Sequence, residues 1–338
     1  MCGGFSISLP IPMKNKPVRL LRRRGGTKGL PRRPTKSLDE IRHALSGPIA
    51  SVSTPFTKDG RIDFRGLEKF VDFVIAGGSR TVLLTYGDSL YSLLTDDEVA
   101  EVTRFVVKHT AGRAMVVAAD RIWWTGKTVE FAEYCRGVGA DMLMVLPPDW
   151  CQSCTVDMLV EHYRQAAQRI PVMFVTNFLL KWPLARSLEL LRRLRDEVPG
   201  VMAVKDDVCG ELGRHLGLEM HERLAVFASG TKQIILNNVP FGCDGYLSSF
   251  IYIKPEIAHA FWRAVKARND VAIRKIITEV DIPFWDFMVS LPGSFDSVVH
   301  GIMEAKGLAQ RWRRSPYHSL TDQEMSRVSA FLKSKAWL

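Results

Sequence analysis

The stretch V-M-A-V-K-D-D-V-C, Val201 to Cys209, ends a short apolar run in a lysine and two aspartates. An apolar run of that length, bounded by charge, reads as a buried strand. Lys205 then stands at the strand's tip. Two readings fit a lysine in that place. It leaves the core and carries its ammonium to water, or it is kept in a half-apolar pocket to attack a carbonyl. The surrounding chain bears on the choice.

From Gly47 onward, strand-like and helix-like segments alternate. "PIASVST", "RTVLLTY", "AMVVAAD", "DMLMVLPP", "PVMFVTN", "VMAVKDD", "LAVFASG" and "DGYLSSF" read as eight strands. They are near-continuous apolar runs, as strands buried on both faces should be. Each is followed by a segment of helical character. In "DFRGLEKFVDFVIAGG", Leu67, Phe70, Val71 and Val74 recur at helical spacing. In "TDDEVAEVTRFVVKHTAG", Thr95 and Glu98 form a capping box. Eight such pairs predict a (β/α)8 TIM barrel over residues 46–270, followed by a C-terminal helical extension over 271–338. No G-x-G-x-x-G follows a strand, which argues against a doubly wound sheet. In a barrel of this kind chemistry sits at the carboxyl ends of the strands. That placement favours the reactive reading of Lys205.

The chain has 338 residues and a formal charge of +10. The charge is not spread evenly. Residues 1–45 hold eleven Lys and Arg against Asp39 and Glu40, while the rest carries 35 basic and 34 acidic residues. The basic pI therefore belongs to a tail, and "RLLRRRGGTKGLPRRPTK" has too few apolar residues to bury a core. We read 1–45 as a disordered basic tail without a folded role, with no nucleic acid as partner. A targeting segment, a nucleic-acid- or membrane-binding arm, and an extension upstream of a start near Met13 are the alternatives. No apolar run approaches the ~18 residues of a membrane span. Six scattered cysteines give no secreted-domain framework, and the lone C-x-x-C at Cys151 and Cys154 lacks the further ligands of a zinc site. A reduced, cytoplasmic setting and no metal are expected.

The ordered set "GPIASVSTPFTKDGRID", "TVLLTYGDSLYSLLTDDE", "GADMLMVLPP", "VMAVKDD", "ASGTK", "GCDGYLSS" and "RRSPYHSLT" resembles the dihydrodipicolinate synthase / N-acetylneuraminate lyase superfamily over about residues 47–330. The resemblance implies a homo-oligomer, tetramer or dimer. It also implies a Schiff base between Lys205 and pyruvate or a related 2-keto acid, with no cofactor. The physics is consistent. An amine attacks only when neutral, a lysine at its free value of about 10.4 is almost wholly protonated at pH 7, and burial penalises the charged form. Asp206 and Asp207 oppose this if they lie against the amine. The resemblance also carries substrate contacts to Thr54, Gly87, Asp88, Ser89, Asn177 and Leu247.

The departures fall on working positions. The family's strand-five tyrosine is replaced by Val175, with Thr176 and Asn177 beside it. The two threonines that hold the substrate carboxylate become Gly87 and Asp88, with Ser89 adjacent, and an aspartate facing a carboxylate repels it; alternatively Asp88 only caps the next helix. The tyrosine given across a subunit interface falls in "PPDW", Pro147 to Trp150. Aromatics are gained at Tyr86, Tyr91, Trp123, Trp124 and Trp150, and either Tyr86 or Tyr91 is a candidate for the missing phenol. We therefore expect a Schiff-base lyase or aldolase that is not a true dihydrodipicolinate synthase. The alternatives are a catalytically impaired binding or assembly barrel, which an ion-paired Lys205 would favour, and a sugar-acid dehydratase of the same superfamily.

Overall fold

The computed structural model describes residues 35–148 and 151–338. Eight strands, β1 Gly47–Ser51, β2 Thr81–Leu83, β3 Met115–Ala119, β4 Met142–Val145, β5 Val172–Val175, β6 Val201–Asp206, β7 Ala225–Ala228 and β8 Gly245–Leu247, pair in sequence order. All neighbours are parallel, and β8 returns to β1, so the barrel is closed. The strands are almost wholly buried, which is why they read as unbroken apolar runs.

The helices are α1 Leu38–Leu45, α2 Phe64–Ala76, α3 Asp96–Thr110, α4 Thr125–Val138, α5 Val156–Ala167, α6 Leu184–Glu197, α7 Gly210–His215, α8 Lys232–Asn238, α9 Phe250–Ile253, α10 Pro255–Lys266, α11 Asp270–Ile276, α12 Ile282–Val289, α13 Ser294–Ala305 and α14 Asp322–Ser334. The capping box of α3 is present, with Thr95 accepting from the Glu98 amide and Glu98 accepting from the Thr95 amide.

Three expectations change. Residues 38–45, assigned to a disordered tail, form α1. Ser37 and Glu40 cap it with a second capping box, and Ile41 and Leu45 are buried. Its Ala44 carbonyl accepts from the Thr81 hydroxyl at 2.8 Å, and Arg42 reaches the Leu224 carbonyl, so α1 packs on the barrel. The count of basic charge over 1–45 had submerged this amphipathic turn. Residues 1–34 lie outside the described residues. The segment "DGYLSSF" is strand only to Leu247; α9 begins at Phe250, and all four of its residues are buried. The helical segment expected after β6, "ELGRHLGLEMH", is α7 followed by a π-helical turn, Leu216–Met220.

The C-terminal helices are knitted to the barrel. Phe250 of α9 packs edge-on against Phe284 of α12 and Trp337. Phe287 and Phe331 stack at 4.0 Å and join α12 to α14. Arg314 donates to the Gly60 and Leu93 carbonyls and makes two bonds to Glu98, and Trp312 bridges to Phe56. Thus "RRSPYHSLT" and "TPF", far apart in sequence, meet in space.

Candidate active site

A cavity of about 380 Å³ opens at the carboxyl ends of the strands. Lys205 and Val175 are register partners on neighbouring strands, and both line it. Lys205 is 7% exposed. It is the one lysine or arginine among the lining residues, facing the carboxylates of Asp88 and Asp207.

The two aspartates after Lys205 take opposite sides, because side chains alternate along a strand. Asp206 turns away from the cavity. One of its oxygens accepts from the Thr176 hydroxyl at 3.0 Å and from the Val208 and Cys209 amides at 3.1 Å. The other accepts from the Asn238 side chain at 2.7 Å. Asp206 therefore ties the end of β6 to β5 and α8. Asp207 shares the face of Lys205. Its carboxylate ion-pairs with the Lys205 ammonium and accepts from the Ser229 hydroxyl. Its amide donates to Thr176 Oγ1 at 2.9 Å. Burial, then Asp206 and Asp207, push the nearby Cys209 thiol up to about 12, so this sulfur is not a nucleophile at neutral pH.

Of the expected contacts, Gly87, Asp88, Asn177 and Leu247 line the cavity. Thr54 and Ser89 do not, and both are fully buried. Thr54 Oγ1 donates to the Ser89 carbonyl at 2.7 Å. Ser89 Oγ donates to the Val52 carbonyl at 2.6 Å and accepts from the Thr85 amide. Their hydroxyls are committed to backbone, so they hold the loop after β2 in place. The hydroxyl of Thr176 is likewise committed to Asp206.

Tyr86 lines the cavity, whereas Tyr91 is buried behind it. Trp124 is 69% exposed and borders a different hollow with Pro148, Met158 and His162. Trp123 packs edge-on against Phe131. The tryptophans after β3 are therefore not the aromatic wall; Asp149 and Trp150 lie outside the described residues. The wall comes instead from Trp285 on α12, Phe295 on α13 and Tyr252 on α9. Burial, with Asp88 nearby, raises the Tyr252 phenol far above its ordinary value. Burial also raises the Asp296 carboxyl, with Asp88 adding to the rise against the pull of Arg313. Sequence reading missed Ser229, Tyr252, Trp285 and Phe295. Only Ser229 had a signal, as the last polar residue before Gly230 in "ASGTK".

Among the described residues, Glu68, Asp72 and His109 are grouped closely enough to hold an ion. They sit on α2 and α3, and Asp72 already pairs with Arg113 at 2.7 Å and His109 at 2.8 Å. No disulfide joins the described cysteines. Among the described residues, no helix is long and apolar enough to cross a membrane.

The chain is 27% identical over 303 residues to the "Probable 5-dehydro-4-deoxyglucarate dehydratase 2" of Streptomyces avermitilis, covering 87% of each chain. It is 31% identical over 228 residues to a 4-hydroxy-tetrahydrodipicolinate synthase of Sorangium cellulosum, covering 65% of this chain and 73% of the other. Among solved structures it superposes on YagE of E. coli K12, a dihydrodipicolinic acid synthase family protein in complex with pyruvate, with a TM-score of 0.70 at 21% identity, covering 87% of this chain and 99% of that one. The sequence profile of the Dihydrodipicolinate synthetase family matches residues 44–335, the whole barrel and nearly all of the helical extension, and the chain belongs to that family.

Proposed function

We propose that the protein is a carbon–oxygen or carbon–carbon lyase that binds a hydroxylated 2-keto acid as a Schiff base on Lys205. The observation that carries this is the Lys205 amine, nearly buried at the strand-end cavity yet lining it. An iminium on that nitrogen withdraws electrons from the substrate, so the adjacent carbon can lose a proton and a leaving group beyond it can depart. No further electron sink is needed.

Of the two reactions, the dehydratase branch has the better support. Ser51, Thr85, Tyr86, Asn177, Ser229 and Ser249 line the cavity, which is a polar set suited to substrate hydroxyls. Several relatives over most of the chain are named as 5-dehydro-4-deoxyglucarate dehydratases. An aldolase acting on pyruvate remains the neighbouring activity on the same amine. A homo-oligomer in the cytoplasm suits both, and the exposed Trp124 and Met158 beside the second hollow support a subunit contact.

One observation favours a second reading, a binding barrel without turnover: the Lys205 nitrogen is engaged in an ion pair with Asp207 that must open before the amine can attack. Intact-mass spectrometry after borohydride reduction separates the two. The protein is mixed with pyruvate or with longer hydroxylated 2-keto acids, beside Lys205→Ala. A mass increment that needs Lys205 supports the lyase. No increment with any acid leaves the binding barrel.

A further inference from the structure

We propose that Asp207 is the acid–base catalytic residue of this site. The inference rests on the Schiff-base reading of Lys205 and goes beyond it. Imine formation needs protons moved at both the nitrogen and the departing oxygen. Val175, the register partner of Lys205, has no proton to give. Thr54, Ser89 and Thr176 spend their hydroxyls on other groups. Among the described residues, Asp207 alone holds a carboxylate in contact with Nζ, and it does so inside the cavity.

Its placement is rigid. Asp207 follows directly after β6, and its carboxylate meets the Lys205 amine, so the two aim together into the barrel. The Asp207 amide is held by Thr176, and Asp206 anchors the residue before it with four hydrogen bonds. The Ser229 amide donates to the Asp206 carbonyl at 3.0 Å, which fixes the serine whose hydroxyl caps the carboxylate. A group preorganised in this way needs little rearrangement during reaction.

The steps balance. The Asp207 carboxylate takes one proton from the Lys205 ammonium. The neutral nitrogen adds to the keto carbon, the C–N bond forms, and the carbonyl π pair moves to oxygen. The Asp207 carboxyl returns its proton to that oxygen. The carboxylate then takes a second proton from nitrogen and delivers it to the hydroxyl, which leaves as water while the nitrogen lone pair closes the C=N bond. One ammonium and one ketone become one iminium and one water, and Asp207 ends as the carboxylate it began as. The same ion pair that would idle a lysine thus becomes its activator.

The test is a timed borohydride quench of wild type, Asp207→Asn and Lys205→Ala with pyruvate and with hydroxylated 2-keto acids, from pH 6 to pH 10. Other groups facing this carboxylate are Lys205 and Cys209 on its own segment, Ser229 after β7, Asp88 and Tyr86 after β2, and Tyr252 on α9. Asparagine keeps the shape and an acceptor for Ser229 but has no ionisable proton to give or take. Asp207→Asn is expected to form the adduct about 10²-fold more slowly at pH 7, with most of the loss recovered at pH 10 as solvent base replaces the carboxylate. That recovery also shows that the variant is folded. An equal or faster rate at pH 7 overturns the proposal, because the carboxylate then only restrains the ammonium. A loss that does not recover at pH 10 overturns it too, as a defect of shape. No adduct in wild type with any acid sinks the Schiff-base reading itself, and the role of Asp207 with it.

Discussion

Lys232 and Asp281 meet at 2.7 Å with side chains 3% and 1% exposed, although 49 residues separate them. The lysine opens α8 on the barrel, and the aspartate ends the π-helical turn Ile277–Asp281 that leads into α12. Lys232 also lies 3.7 Å from the centre of the Phe250 ring. Burial lowers the Lys232 ammonium below its ordinary range, against the pull of Asp281. This pair fixes α12, and with it Trp285, over the cavity.

Removing one partner leaves a buried charge without compensation. Lys232→Met alone is expected to destabilise the fold by about 3–5 kcal/mol, whereas Lys232→Met with Asp281→Leu recovers most of that loss. Urea denaturation of the single and double variants checks the difference. A single variant as stable as wild type would mean that the pair does not hold the extension.

Asp88 should hinder an anionic substrate. It lines the cavity where the family resemblance gives a threonine, and among the described residues no counter-cation other than Lys205 lines that space. One like-charge contact in a half-exposed site is worth about tenfold in affinity. Asp88→Thr is therefore expected to lower KM for a 2-keto acid about tenfold with kcat changed little, as steady-state kinetics would show. A raised KM would instead identify Asp88 as a group that binds substrate hydroxyls.

Acid should weaken the fold before most carboxylates titrate. Burial lowers His162 to about 4 and His300 to about 3, and neither ring nitrogen of His300 has a hydrogen-bond partner among the described residues. A histidine depressed in the folded state binds its proton more readily when unfolded, so stability falls as pH drops from about 6.5 toward 4. Asp120, raised by burial to about 7, runs the other way across the same window. Two histidines against Asp120 leave a net slope of at most about 1.4 kcal/mol per pH unit, which the raised Asp296 carboxyl lowers further toward pH 4.5. Chemical denaturation at pH 4.5, 5.5 and 6.5 measures it. His300→Leu should flatten the slope by about one proton, and an unchanged slope would count against the buried neutral imidazole.

The Thr54 hydroxyl acts on the loop after β2, not on substrate. Thr54→Val leaves the buried Ser89 carbonyl without its donor, at a cost of about 1–3 kcal/mol. A thermal melt should show that loss. Borohydride trapping on the folded variant should still label Lys205; a variant that melts like wild type and loses labelling would instead make Thr54 a binding group.

The barrel was legible because strands buried on both faces must be apolar throughout, and helices that cover them must repeat their apolar face. The place of Lys205 at the cavity was legible because the strand ends of that architecture face a pocket. Other features depend on packing that no local pattern encodes. The α1 turn was hidden by the basic residues before it. The four residues of α9 barely exceed one helical turn, too few for periodicity, so Tyr252 went unseen. Thr54 and Ser89 stand beside the site in sequence, but the direction of a hydroxyl is set by the β1–β2 register. Asp206 and Asp207 were read as one problem; strand alternation separates them into an anchor and a partner for the amine.

The aromatic mouth has a consequence for descent. The amine sits on β6, while Trp285 and Phe295 arrive from helices beyond the barrel. On the proposed function, reaction and selectivity are therefore written in separate stretches of the gene. Changes in the segment encoding α12 and α13 can re-tailor which acid is admitted without touching the strand that performs the bond-making, so a lineage could switch diets while keeping its chemistry.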